Sequence, residues 1–130
     1  MVEKLTSHES KENYLETILI LENEKGVVRS IDIARKLNYS KPSVSRAVKL
    51  LKELGYIEMN NEALIRLTEN GRKKAETIYE KHKILTEFFE QIAGVEPEIA
   101  EEDACKIEHI ISNETYNGLK KYLYGTQKKL

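Results

Sequence analysis

Tryptophan is absent from this 130-residue chain, proline occurs twice and cysteine once. A lone cysteine excludes any intramolecular disulfide and leaves Cys105 to burial, reactivity or metal binding. Apolar runs are only a few residues long, which excludes a membrane-spanning helix, and the segment from Met1 to Asn13 is too charged for a signal peptide. A cytoplasmic protein with no membrane partner is therefore expected. Its 40% hydrophobic content suffices for compact cores in one to two small domains.

The chain also lacks an overall charge of one sign, with a formal net value of −1. That balance conceals a segregation along the chain. Residues 25–83 hold 14 basic and 7 acidic groups, whereas residues 84–118 hold 1 basic and 9 acidic. A basic middle followed by an acidic segment suits a nucleic-acid face joined to a cation-binding face. The basic tail of Lys120, Lys121, Lys128 and Lys129 reads as solvated.

Apolar spacing through Tyr14, Leu15, Ile18, Leu19 and Leu21 predicts a first helix over roughly Ser10 to Glu24, closed by Gly26. Ser30 is the expected cap of a short second helix ending at Leu37. After a turn at Asn38-Tyr39, Ser40 caps a third helix running to about Leu54. Pro42 is tolerated in its first turn, where its missing N–H would have no intrahelical partner. Val44, Ala47, Val48, Leu51 and Leu54 form the apolar side, leaving Lys41, Ser43, Ser45, Arg46, Lys49 and Lys52 outside it. Helix, tight turn and a second helix with a basic, hydroxyl-rich face is a helix-turn-helix, which reads the major groove from the N-terminal end of its second helix. Arg46 suits a bidentate contact to guanine, Ser43 and Ser45 suit bases or phosphates, and the lysines suit phosphates.

Two β-prone runs, Tyr56–Met59 and Ala63–Leu67, flank Asn60-Asn61-Glu62 and predict a hairpin placed as a wing. Thr68 then caps a long fourth helix over about 69–93, with Ala75, Ile78, Tyr79, His82, Leu85, Phe88, Phe89 and Ile92 on its apolar side. Pro97 opens a fifth helix expected to reach Ile111, and Ser112-Asn113 caps a sixth ending near Gly125. The fold class expected is mainly α: a winged helix-turn-helix DNA-binding domain over 1–71, then an all-helical dimerisation and metal-binding domain over 72–130. So much apolar helix surface in so small a unit favours a homodimer, which would present two recognition helices to a palindromic site.

On the fifth helix Glu101, Cys105, Glu108 and His109 are spaced to share one face. Thiolate, carboxylate and imidazole together suit a borderline divalent transition ion better than calcium or magnesium. An enzyme using Cys105 and His109 as nucleophile and base is disfavoured, because two residues one turn apart on a helix supply no oxyanion hole. An alternative is a metal-independent winged-helix regulator that senses an organic ligand or thiol oxidation through Cys105.

Taken together, the stretches Asn13-Tyr14-Leu15-Glu16-Thr17-Ile18, Lys41-Pro42-Ser43-Val44-Ser45, Leu67-Thr68-Glu69-Asn70-Gly71, Lys81-His82 and Asp103-Ala104-Cys105-Lys106-Ile107-Glu108-His109 resemble the diphtheria toxin repressor and manganese transport regulator family of metal-dependent repressors. The resemblance spans nearly the whole chain. It implies a homodimer that binds double-stranded operator DNA when Fe(II) or Mn(II) is held at sites between its domains, with Zn(II), Co(II) or Ni(II) as substitutes in vitro. The implied ligands are Asn13, Glu16, His82, Glu101, Cys105, Glu108 and His109, and Pro42 joins the implied DNA-contacting segment. Cys105 matches the iron-type branch, whereas an end without an SH3-like third domain matches the manganese-type one. Asn13 stands where those branches carry methionine and aspartate respectively, and its neutral amide makes it the weakest donor of the set.

Overall fold

Six helices and one small hairpin account for the residues that the computed structural model describes, 8–128, with side chains described over 11–125. Expectations concerning residues 1–7, Lys129 and the side chain of Lys128 lie outside these. The order is α1 (His8–Lys25), α2 (Ser30–Leu37), α3 (Lys41–Glu53), β1 (Ile57–Met59), β2 (Ile65–Leu67), α4 (Glu69–Gln91), α5 (Pro97–Ile107) and α6 (Asn113–Lys128). The chain divides into two compact units between Thr77 and Ile78. This is the mainly helical winged architecture expected. None of the described helices is long and apolar enough to cross a membrane.

In the first unit α1 ends at Gly26, whose φ of +85° only a residue without Cβ adopts readily. Ser30 is not the cap of α2. Arg29 occupies that position and its N–H donates to Asp32 Oδ2 at 2.9 Å, so the helix start is held by a carboxylate inside the first turn reaching back to the cap rather than by a serine hydroxyl at the cap. A second partner, Lys25, donates to Asp32 Oδ1 at 2.9 Å, and that hydrogen bond is the main reason the Asp32 carboxyl titrates below its ordinary value. α2 closes on Asn38 in the left-handed region, φ +59°. α3 is capped as its sequence requires, with Ser40 Oγ accepting from Ser43 N at 3.2 Å.

Leu15, Ile18, Ile33, Val44, Leu51 and Ile65 are each less than 2% exposed, and α1 packs on α2, α3 and β2. Full burial of such side chains contributes about 1.5–3 kcal/mol apiece. β1 and β2 pair antiparallel with Ile57 opposite Leu67, Glu58 opposite Arg66 and Met59 opposite Ile65. Asn60 Oδ1 accepts from Glu62 N and Leu64 N to close the wing loop. Val28 adds an isolated bridge to Ile65, an edge that no local pattern announces.

Thr68 joins several elements at once. Its N–H donates to Tyr56 O at 2.9 Å, its hydroxyl donates to Gly55 O at 2.6 Å, and the same oxygen accepts from Gly71 N at 3.1 Å as the cap of α4. Gly71 lies so close to the Tyr56 carbonyl that a Cβ would collide with it. Glu22, near the end of α1, accepts from Leu67 N at 3.1 Å and from Arg72 Nη2 at 2.6 Å.

The core of the second unit gathers Ile84, Tyr116 and Leu123, with Ile111 packed against it. The face assigned to α4 is buried at Ala75, Ile78 and Leu85, but Ile84, left off it, is buried as well, and Ile92 lies beyond the helix end and is 48% exposed. α5 stops at Ile107 rather than Ile111. Both Ile110 N and Ile111 N turn back to Ile107 O, a tightened turn that delivers Ile111 to the cluster. Ser112 Oγ accepts from Thr115 N at 3.1 Å and caps α6, which continues past Gly125 to Lys128. Lys120, read as part of a solvated tail, pairs with Glu80 at 3.3 Å.

Candidate metal centre and nucleic-acid interface

A buried carboxylate is the focus of the second unit. Glu108 occupies the C-cap of α5 with helical dihedrals, and its side chain is 0% exposed. Its Oε1 lies 2.8 Å from His82 Nδ1 on α4, and its Oε2 lies 3.3 Å from His109 Nε2 in the turn after α5. Glu101, one turn into α5 and 70% exposed, reaches His82 Nε2 from the other side of the ring at 3.7 Å. Four of the expected ligands are therefore linked in one chain of contacts, Glu101 to His82 to Glu108 to His109. Cys105 lies on α5 and is exposed.

Desolvating a carboxylate is costly unless charge or hydrogen bonds compensate it. His82 supplies part of that compensation. Its imidazole is held above the ordinary histidine value, chiefly by the hydrogen bond to Glu108, with burial opposing and the charges of Glu108 and Glu101 adding. The protonated form of His82, which can act as counter-charge to Glu108, is thereby favoured. Even so, Glu108 Oε2 is buried and accepts no hydrogen bond among the described residues. An oxygen left in that state beside two imidazoles fits a divalent cation, and this nitrogen and carboxylate donor set fits a transition ion.

The remaining expected ligands lie in the first unit, one turn apart on α1. Glu16 is 6% exposed, uncommon for a carboxylate, and Asn13 is half-buried. The residues expected to face DNA differ in exposure. Lys41, Pro42, Ser45, Arg46, Lys49 and Lys52 are exposed on α3, opposite buried Val44, Ala47, Val48 and Leu51. Ser43 is half-buried and its Oγ accepts from Ser40 Oγ at 2.9 Å, so part of its capacity is spent on the cap. One exposed residue beside this face was passed over as mere turn: Tyr39, 44% exposed, whose ring meets Tyr14 of α1 edge-on with centroids 5.8 Å apart. The signal available was its chemistry, since turns favour glycine, asparagine and aspartate over an aromatic.

Comparison with known proteins gives concordant matches across the chain. Residues 4–63 match the family described as iron dependent repressor, N-terminal DNA binding domain, and residues 68–128 match the iron dependent repressor, metal binding and dimerisation domain. The chain is 34% identical over 123 residues to an uncharacterized HTH-type transcriptional regulator of Methanocaldococcus jannaschii, covering 94% of this chain and 98% of the relative. It is 38% identical over 117 residues to the transcriptional regulator MntR of Escherichia coli, covering 90% of this chain and 73% of that one. The crystal structure of T. acidophilum IdeR superposes with a TM-score of 0.79 at 27% identity, covering 95% of this chain. The present chain spans 56% of the length of that structure.

Proposed function

We propose, from the premise that the chain belongs to the iron-dependent repressor family, that it is a metal-dependent DNA-binding transcriptional repressor of metal-ion homeostasis, acting as a homodimer with Fe(II) or Mn(II) as corepressor. It is a regulator rather than an enzyme. The observation that carries this reading is the desolvated Glu108 carboxylate between His82 and His109, on a chain whose helix-turn-helix exposes a basic recognition face. We assign residues 1–71 to DNA binding and 72–130 to dimerisation and metal binding.

His82, Glu101, Cys105, Glu108 and His109 would hold the ion, with Glu16 and Asn13 contributed by α1. When bound, the ion supplies positive charge to an acidic cluster and a fixed coordination geometry to its ligands. The chain's own residues do the rest. His82 would have to offer a neutral ring nitrogen as ligand, so binding would displace any proton it carries, and the ion would take over as counter-charge to Glu108. Because α1 packs on α2, α3 and β2, a ligand on α1 makes the placement of α3 depend on occupancy. Molecules with both recognition helices at operator spacing then become a larger fraction of the population. By linkage, operator DNA tightens metal binding by the same factor.

Fluorescence anisotropy of a labelled genomic-fragment pool, with chelator and then with Mn(II) or anoxic Fe(II) at one salt concentration, tests the reading. Binding that appears only with metal supports it. Equal binding in chelator, lost on peroxide treatment, would replace it with the thiol sensor.

A further inference from the structure

Tyr39 sits at the one position of the helix-turn-helix where an aromatic has no local reason to be. Its backbone is fixed from both sides. Asn38 before it is in the left-handed region, its own N–H donates to Ala34 O at 3.1 Å, and Ser40 after it caps α3. Its ring is fixed as well, held edge-on at 64° against Tyr14, which is 3% exposed and so cannot move aside. Even so the residue is 44% exposed, immediately before the N-terminal end of the recognition helix, whose Lys41 and Arg46 are exposed as well. Electrostatics agree with that placement. The Tyr14 phenol is raised by burial and by Tyr39, and drawn back by Arg46, so the three groups lie within electrostatic reach of one another.

Side chains from the first turns of a recognition helix reach base edges while the helix before it crosses the backbone, so a residue in the turn between them is placed toward the phosphates. A phenol there offers a hydrogen-bond donor whose orientation is already paid in folding, so little rotamer freedom is lost on binding. We propose that Tyr39 donates its O–H to a backbone phosphate of the bound duplex and so fixes the register of α3, through a ring that Tyr14 holds in place. The contact carries affinity and alignment but no base sequence. It rests on the DNA-binding function proposed above.

The full-length protein with Mn(II) is used to isolate a duplex from a randomised pool, and that duplex and one of unrelated sequence are then titrated with the parent, Tyr39→Phe and Tyr39→Ala. Tyr39→Phe keeps the ring pair and removes only the donor. It is expected to weaken both duplexes by the same factor, about tenfold to a hundredfold for each protomer, which is the scale of one hydrogen bond to a charged group. A neutral donor releases no counterion, so the slope of log affinity against log salt stays at the parent value, whereas Lys41→Ala lowers it by about one for each protomer. Parent-like binding by Tyr39→Phe would overturn the proposal. So would a changed base preference, which would make Tyr39 a base reader, or a loss that tracks a lowered Tm or Mn(II) affinity, which would make it a packing residue. Failure of the parent itself to select any duplex would overturn the DNA-binding reading, and Tyr39's role with it.

Discussion

Replacing Glu108 by glutamine separates what the carboxylate does for the fold from what it does for a metal ion. The amide has nearly the same shape and can still accept from His82 Nδ1, now 2.8 Å from Oε1. Charge is what disappears. In the metal-free protein the cost is limited, because His82 can release its proton once its counter-charge is gone; the loss is that of a charge-assisted hydrogen bond becoming a neutral one, about 1–2 kcal/mol. For the metal the cost is larger. Altering residues that only support metal ligands lowers affinity about 10–100-fold, so loss of an anionic ligand is expected to reach at least the upper figure. At a free metal concentration 100 times the parent Kd, binding stabilises the parent by about 2.7 kcal/mol and a 100-fold weaker variant by only about 0.4 kcal/mol. For a chain of this size about 1 kcal/mol moves Tm by roughly 4 °C, so the metal-induced rise falls from about 11 °C to under about 2 °C. Differential scanning fluorimetry with Mn(II) and with chelator measures both numbers. A Glu108→Gln protein that kept the parent's metal-induced shift would refute the ligand role, and one unfolded in chelator would assign Glu108 to the fold alone.

The pH dependence of the two states should run in opposite directions. Because the folded His82 pKa is raised above its unfolded value near 6.5, its contribution to the metal-free fold is fully present below that value and is lost as pH rises through the folded pKa. Mn(II) affinity, which needs the neutral ring, should instead weaken as pH falls through that same pKa, and calorimetry in buffers of different ionisation enthalpy should detect a proton released on binding. Gly71→Ala gains about 1 kcal/mol of helix propensity but drives a methyl into the Tyr56 carbonyl, and a net destabilisation of about 1–3 kcal/mol in urea melts is expected. A variant as stable as the parent would mean that the α4–wing junction yields freely. Arg46→Ala should relax sequence preference at one position of each half-site, at about 1–3 kcal/mol, whereas Lys49→Ala should weaken all duplexes alike; selection from a randomised pool distinguishes the two.

Much of this molecule is legible from short-range chemistry. Ser40, Thr68 and Ser112 announce the starts of α3, α4 and α6, and each forms the cap hydrogen bond its sequence implies. The exposed face of α3 follows from helical spacing alone. What escaped depends on partners distant in sequence or on competition between neighbours. α2 starts at Ser30 itself, with Asp32 accepting from the Arg29 N–H and from Lys25, a partner seven residues away. α5 ends early because Ile111 has a core to join, which moves Glu108 and His109 from a helical face into a cap and a turn. The spacing of Glu101, Cys105, Glu108 and His109 suggested a metal site, but it could not show that the side chains of Glu108 and His109 would be withdrawn from water while Glu101 and Cys105 stay exposed. Nor could periodicity show that Ile84, rather than Ile92, faces inward.

The junction at Thr68 has a mechanical consequence. Through its N–H and hydroxyl, this one residue holds Gly55 and Tyr56 at the exit of α3 and the entrance of β1, and it also caps the first turn of α4. Gly71 leaves no clearance for that turn to slide past Tyr56. Recognition helix, wing and the beginning of α4 therefore share a single set of rotational degrees of freedom. Torque applied to α4's first turn is delivered undivided to both DNA-facing elements, as a wrench turns a bolt and its washer together.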